Sequence, residues 1–154
     1  MTKNHAFKKT FQTHRERFLS KMENVVPWKL LLDTLDPLYF LDTVGCRDHL
    51  SENLELMLRM YFVQQWYGID DESTEDFIYD SRSLSSFVGL DLACDFVPNA
   101  MRLSKFKRWL EESKLIQLID EVVRNELSYR GLLLREATLV DAETIEISSY
   151  KQNK

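Results

Sequence analysis

Apolar residues recur along this chain every three or four positions, in stretches separated by short polar connections, which is the pattern of helices buried along one face. Phe7, Phe11, His14, Phe18 and Met22 form the first such stripe, with Lys8, Lys9, Arg15, Arg17 and Lys21 largely around the remaining circumference. The spacing predicts a basic amphipathic helix broken at Val26-Pro27, and His14 on its phenylalanine face reads as a packed histidine rather than a base. Pro27 suits the first position of a short helix, Trp28 to Leu35, that stops ahead of Pro37. Ser51 is placed to cap a helix from Glu52 to Trp66 in which Leu54, Leu56, Met57, Leu58, Met60, Tyr61, Phe62, Val63 and Trp66 cover nearly the whole circumference. Only Glu52, Glu55 and Arg59 remain as a narrow polar stripe, so this helix belongs at the centre of the fold.

Gly68 ends the central helix, and Asp70, Asp71, Glu72, Glu75 and Asp76 gather where the next one begins, favourably placed against its N-terminal dipole. A calcium loop is the functional alternative for these acids, but the alternating oxygen ligands and central glycine of an EF-hand are missing. Ser83 to Phe87 predicts a short helix closed by Gly89, and Pro98-Asn99 a turn. From Arg102 to Leu110 the spacing predicts a helix with Leu103, Phe106 and Leu110 inward and Arg102, Lys105, Lys107 and Arg108 outward, a second basic patch. Residues 115 to 127 show the clearest periodicity, with Leu115, Ile116, Leu118, Ile119, Val122, Val123 and Leu127 against Gln117, Glu121, Arg124 and Asn125, and Gly131 supplies the stop. After Gly131 the texture changes: Ala137 to Ala142 and Thr144 to Ile147 are β-branched and partly alternating, which predicts a strand pair. The expected fold is mainly α, a multi-helix, bundle-like domain over residues 1–131, followed by a short C-terminal strand pair within residues 132–154.

Composition narrows the class. The chain has 154 residues, 44% of them hydrophobic, with only 4 Gly and 3 Pro, which suits one helical domain and argues against a many-stranded sandwich or barrel. Two cysteines are too few for a disulfide framework, and Cys46, His49 and Cys94 do not make a convincing zinc site. The polar, basic N-terminus lacks an apolar targeting segment and no membrane-length apolar run follows, so a reducing, cytoplasmic setting with no membrane partner is expected. The net charge of −5 conceals segregation. Residues 1–30 hold seven Lys or Arg and two acids, net +5; residues 31–100 hold three and fourteen, net −11; residues 101–154 hold ten and nine, net +1. A basic arm and an acidic middle say more about partners than the total does. The first helix thus has two readings, a solvated surface helix docked by its phenylalanines or a phosphate-contacting helix.

An ordered series of segments resembles the N-terminal half of bacterial insertion-sequence DDE transposases. It runs Met57-Leu58-Arg59-Met60-Tyr61-Phe62-Val63-Gln64-Gln65-Trp66-Tyr67, Glu75-Asp76-Phe77-Ile78-Tyr79-Asp80, and Phe87-Val88-Gly89-Leu90. Val97-Pro98 follows, ahead of Phe106, Arg108 and Leu110, and then Leu139-Val140-Asp141-Ala142. The resemblance covers about residues 20–154 and implies an all-helical domain preceding an RNase H-like catalytic core. It makes Asp141 the first of three catalytic acids, which in the full-length family hold Mg2+ for phosphodiester transfer, because two cations must activate the nucleophile and stabilise the leaving oxygen. The second Asp and the Glu lie further downstream in the family, so the chain is expected to be truncated, catalytically incomplete and without a cofactor of its own. Glu143 is no substitute, since a binuclear site needs carboxylates converging from different elements. This chain departs from the family in carrying Pro98-Asn99-Ala100 where Pro-Asp-His is common, and in lacking a basic run at Gly45 to His49.

Two functions are therefore expected to compete. In the first, the helical region binds double-stranded DNA at element ends through Lys8, Lys9, Arg15, Arg17, Lys21, Arg102, Lys105, Lys107 and Arg108, chiefly on phosphates. In the second, it is a protein-interaction module that forms homo-oligomers or associates with, and inhibits, full-length transposase. An autonomous enzyme finds no support: there is no phosphate loop, nucleophile elbow or HExxH motif, and His5, His14 and His49 have no evident partners.

Overall fold

Thr13 opens the first helix. Its hydroxyl accepts from Glu16 N at 3.1 Å while the Glu16 carboxylate accepts from Thr13 N at 3.1 Å, a reciprocal capping box that satisfies two backbone donors. In the computed structural model, which describes residues 11–44 and 53–131, helix α1 accordingly spans His14–Val25. Phe11 stands ahead of it, 85% exposed, so the expected stripe from Phe7 onward is cut short, with Phe7, Lys8 and Lys9 outside the described residues. His14 is exposed rather than packed. The Thr-x-x-Glu signature was legible in the sequence and outranks the phenylalanine spacing.

Helix α2 (Trp28–Val44) runs through Pro37, where a stop was expected. An internal proline forfeits one ladder hydrogen bond and crowds the preceding turn, at a cost of about 3 kcal/mol. Leu31, Leu35 and Tyr39, spaced four apart across the proline, are all buried, and each such side chain contributes about 1.5–3 kcal/mol. Pro37 itself faces solvent, so burial on the opposite face outweighs the local penalty.

Helix α3 (Leu54–Tyr67) is the central element, packed by α2 and by α4 (Asp71–Asp80), α5 (Arg82–Val88) and α6 (Ala100–Glu112). Its cap is Asn53, whose side chain accepts from Leu56 N at 3.2 Å; the expected cap, Ser51, lies outside the described residues. Gly68 ends it at φ +59°, a left-handed conformation that suits glycine. Asp70 caps α4, Ser81 closes α4 and caps α5, and Asn99 caps α6, accepting from Arg102 N at 3.0 Å. Helix α7 (Leu115–Tyr129) follows a two-residue corner with Lys114 at φ +56° and rests on α6 and α2.

A line of aromatic rings joins the helices. Phe18 meets Trp66 at 5.5 Å, Trp66 meets Phe62 at 5.4 Å, Phe62 meets Trp28 at 5.3 Å, and Trp28 meets Phe87 at 5.8 Å. Tyr39 packs on Trp109 at 5.2 Å under α6, and burial pushes its phenol up to about 12. The fold is mainly helical, with no strand among the described residues; the expected strand pair within 132–154 lies outside them.

Candidate nucleic-acid interface

Seven of the nine cations expected to meet DNA lie among the described residues, and the structure divides them. On α1, Arg17 and Lys21 are exposed one turn apart, with Ser20 and Asn24 on the same outward face. Arg17 stays within its helix, its Nη2 3.1 Å from His14 Nδ1. Arg15 is instead on the inward half with Leu19 and Met22, half-buried, its guanidinium carbon 5.4 Å from the Tyr67 ring centre and 5.8 Å from that of Phe77.

On α6, Leu103, Phe106, Trp109 and Leu110 form the buried face. Arg102 and Arg108 are exposed and Lys105 is half-buried. Lys107 is drawn the other way, toward α4, where its Nζ lies 2.7 Å from Asp71 Oδ1. A second α4 carboxylate, Glu75, accepts from Ala100 N at 2.8 Å in the first turn of α6. The acidic cluster thus has work inside the fold: Asp70 caps α4, Asp71 holds Lys107 and Gln64, and Glu75 holds the start of α6.

The two cationic faces do not merge. Helix α6 packs along the Asp71 and Glu75 edge of α4, while Arg15 reaches α4 at Phe77 on its other edge. Helical spacing sets the exposed Glu72, Asp76 and Asp80 between them. An anionic strip therefore separates the α1 cations from those of α6.

Arg59 takes a role that its sequence position did not suggest. Expected on a narrow polar stripe, it is 8% exposed and joins four helices. Its Nη1 and Nη2 donate to Glu23 of α1 at 2.6 and 3.0 Å, its Nε to Glu55 at 3.0 Å, and Nη1 to the Phe87 carbonyl at 3.1 Å. The guanidinium also stacks 4.3 Å from the Trp28 ring centre and 5.0 Å from that of Phe87. Burial opposes its charge, but Glu23 and Glu55 more than offset that and raise its pKa. Reciprocally, the Arg59 hydrogen bond holds the Glu23 carboxyl below its ordinary value. A lone arginine in a largely apolar helix was the available signal. A groove of about 550 Å³ opens here, lined by Glu23, Asn53, Glu55, Arg59 and Gly89 among others, and its carboxylates make it a poor seat for phosphate.

Asp141, the expected catalytic and metal-binding acid, lies outside the described residues, as do Glu143, Cys46 and His49. Among the described residues no three His, Cys, Asp or Glu side chains converge as a metal site requires. No helix there is long and apolar enough to cross a membrane.

A family model described as Transposase domain (DUF772) matches residues 7–109, which takes in α1 to α5 and most of α6. No solved structure matches the chain.

Proposed function

The chain belongs to this transposase-domain family, and from that premise we propose that it is a DNA-binding module of a transposase, gripping duplex phosphates through Arg17 and Lys21 of α1 and Arg102, Lys105 and Arg108 of α6. The observation that carries the reading is the sorting of charge where α4 meets α6. Asp71 and Glu75 of α4 take Lys107 and the Ala100 N–H along one edge of α6, while Arg102 and Arg108 are exposed. Phosphate contacts of this kind position a protein on DNA without reading its sequence. Because an acidic strip separates the two cationic faces, a straight duplex lying on one face does not reach the other. Each face then takes its own stretch of backbone, either two DNA segments or two arms of a bent one.

In this reading Asp141 contributes one carboxylate toward a magnesium-dependent core. Among the described residues of the helical body no metal-binding set converges, and its role in this reading is binding and assembly. Fluorescence polarisation with a labelled element end and a random duplex tests the proposal. Binding that weakens steeply with salt supports it, and failure to bind either duplex refutes it.

A second reading, assembly with another copy or with full-length transposase, draws support from Phe96 at 88% and Met101 at 61% exposure near the start of α6. Sedimentation of the purified chain, alone and mixed with full-length transposase, tests it: a strict monomer indifferent to the longer protein refutes it.

A further inference from the structure

Arg15 is set apart from the cations assigned to the proposed interface by its aromatic seat. It is half-buried, its guanidinium lies against Tyr67 from α3 and Phe77 from α4, and among the described residues it makes no hydrogen bond or ion pair. Arg59, the other stacked arginine, shows the contrasting arrangement, with two carboxylates and a carbonyl taking its donors. A stacked guanidinium retains all five N–H groups in a planar fork, because ring faces engage its π surface and leave its edge open. Tyr67 is itself braced by Phe18, 6.1 Å away in edge contact, and Phe18 by Trp66 at 5.5 Å, so the platform is continuous with the aromatic core.

We infer that Arg15 is a pre-oriented phosphate receptor: the Tyr67 and Phe77 rings hold its guanidinium so that its unpaired edge receives one oxyanion of a nucleic-acid phosphodiester in bidentate fashion. This inference rests on the DNA-binding reading and deepens it, by separating one ring-seated contact from the exposed cations Arg17 and Lys21. Exposed cations must lose side-chain freedom on contact, whereas Arg15 has lost much of it on folding. Lysine cannot replace it, since an ammonium on a flexible stem offers neither the planar fork nor the same stacking.

The test uses the full chain in three variants. Arg15→Lys keeps the charge and removes the fork. Tyr67→Leu keeps every charge and removes a ring face. Arg124→Lys, on the exposed face of α7, serves as control. Duplex affinity and thermal melting are measured for each, and the arginine Nε resonances of the wild-type chain are followed by NMR during titration with inorganic phosphate. Arg15→Lys is expected to bind a short duplex about tenfold more weakly, the loss of one charge-assisted bidentate contact, and Tyr67→Leu to weaken it in the same direction. Arg124→Lys should match wild type, and the Arg15 Nε signal should shift saturably with phosphate while that of Arg124 does not. The inference is overturned if Arg15→Lys binds duplex like wild type, or if it merely lowers melting temperature while phosphate moves no arginine selectively. Should the wild-type chain fail to bind duplex while Arg15 still answers phosphate selectively, the DNA reading falls and the oxyanion site stands.

Discussion

Replacing Arg59 with methionine keeps most of the side-chain volume and removes the guanidinium that joins α1, α2, α3 and α5. Three losses follow. The Phe87 carbonyl loses its 3.1 Å donor, worth about 1 kcal/mol in this part-buried setting. Stacking of a desolvated cation on Trp28 and Phe87 contributes roughly another 1 kcal/mol. Glu23 and Glu55 are 49% and 47% exposed, so both rehydrate when abandoned, and their ion pairs contribute about 1 kcal/mol rather than the larger figure for a fully buried pair. The expected destabilisation is about 3 kcal/mol, which for a chain of this length lowers the melting temperature by roughly 10 °C. Thermal denaturation followed by far-UV circular dichroism reads it directly. A pH series adds a second signature. The Glu23 carboxyl is held below 4.5 in the folded chain, so its contribution is fully present at neutral pH and fades as pH falls below that value through the depressed one. Arg59→Met should lose that acid-side step. A variant that melts within about 2 °C of wild type, with an unchanged pH profile, would refute the assignment of Arg59 as the joint between these helices.

Other substitutions probe the remaining joints. Thr13→Ala removes the capping box and is expected to cost about 1 kcal/mol, seen as a lower urea midpoint at unchanged slope; an unaffected midpoint would put the start of α1 elsewhere. Pro37→Ala restores a helix hydrogen bond on an exposed face and should raise stability by roughly 1–3 kcal/mol, whereas destabilisation would mean that α2 ends before the proline. Asp71→Ala removes the partner of the buried Gln64, whose Oε1 already lacks one, and releases Lys107; a loss of about 2 kcal/mol in denaturant is expected, and no loss would contradict the Gln64–Asp71–Lys107 linkage.

Much of the architecture was legible because the helices announce themselves by periodicity and by their glycine ends. The near-uniform apolar surface of α3 marked it as central, and Gly68 and Gly89 closed helices where expected. Boundaries failed where two rules competed. At the N-terminus a four-residue capping box prevailed over a longer phenylalanine spacing, and at Pro37 the burial of Leu31, Leu35 and Tyr39 prevailed over a local breaker. The candidate interface was legible only as a composition of charge. Sequence spacing placed Arg102, Lys105 and Arg108 on one side of α6 but could not tell that Lys107 would be claimed by Asp71, since that pairing depends on how α4 packs. Arg15 was assigned to the right helix and the wrong half of it. Its aromatic partners come from residues 67 and 77, and contacts that distant in sequence leave no trace in a single helix's periodicity.

Salt dependence of duplex binding tests the central claim most directly. If a straight duplex lies on one face, the cations of that face, Arg17 and Lys21 on α1 or Arg102, Lys105 and Arg108 on α6, give the plot of log affinity against log salt a slope of about −2 to −3, and reversing Arg17 or Arg108 on the engaged face to Glu flattens it by about one contact. Binding that ignores salt, or a slope unchanged by Arg108→Glu and by Arg17→Glu alike, would contradict the assignment of these faces to DNA.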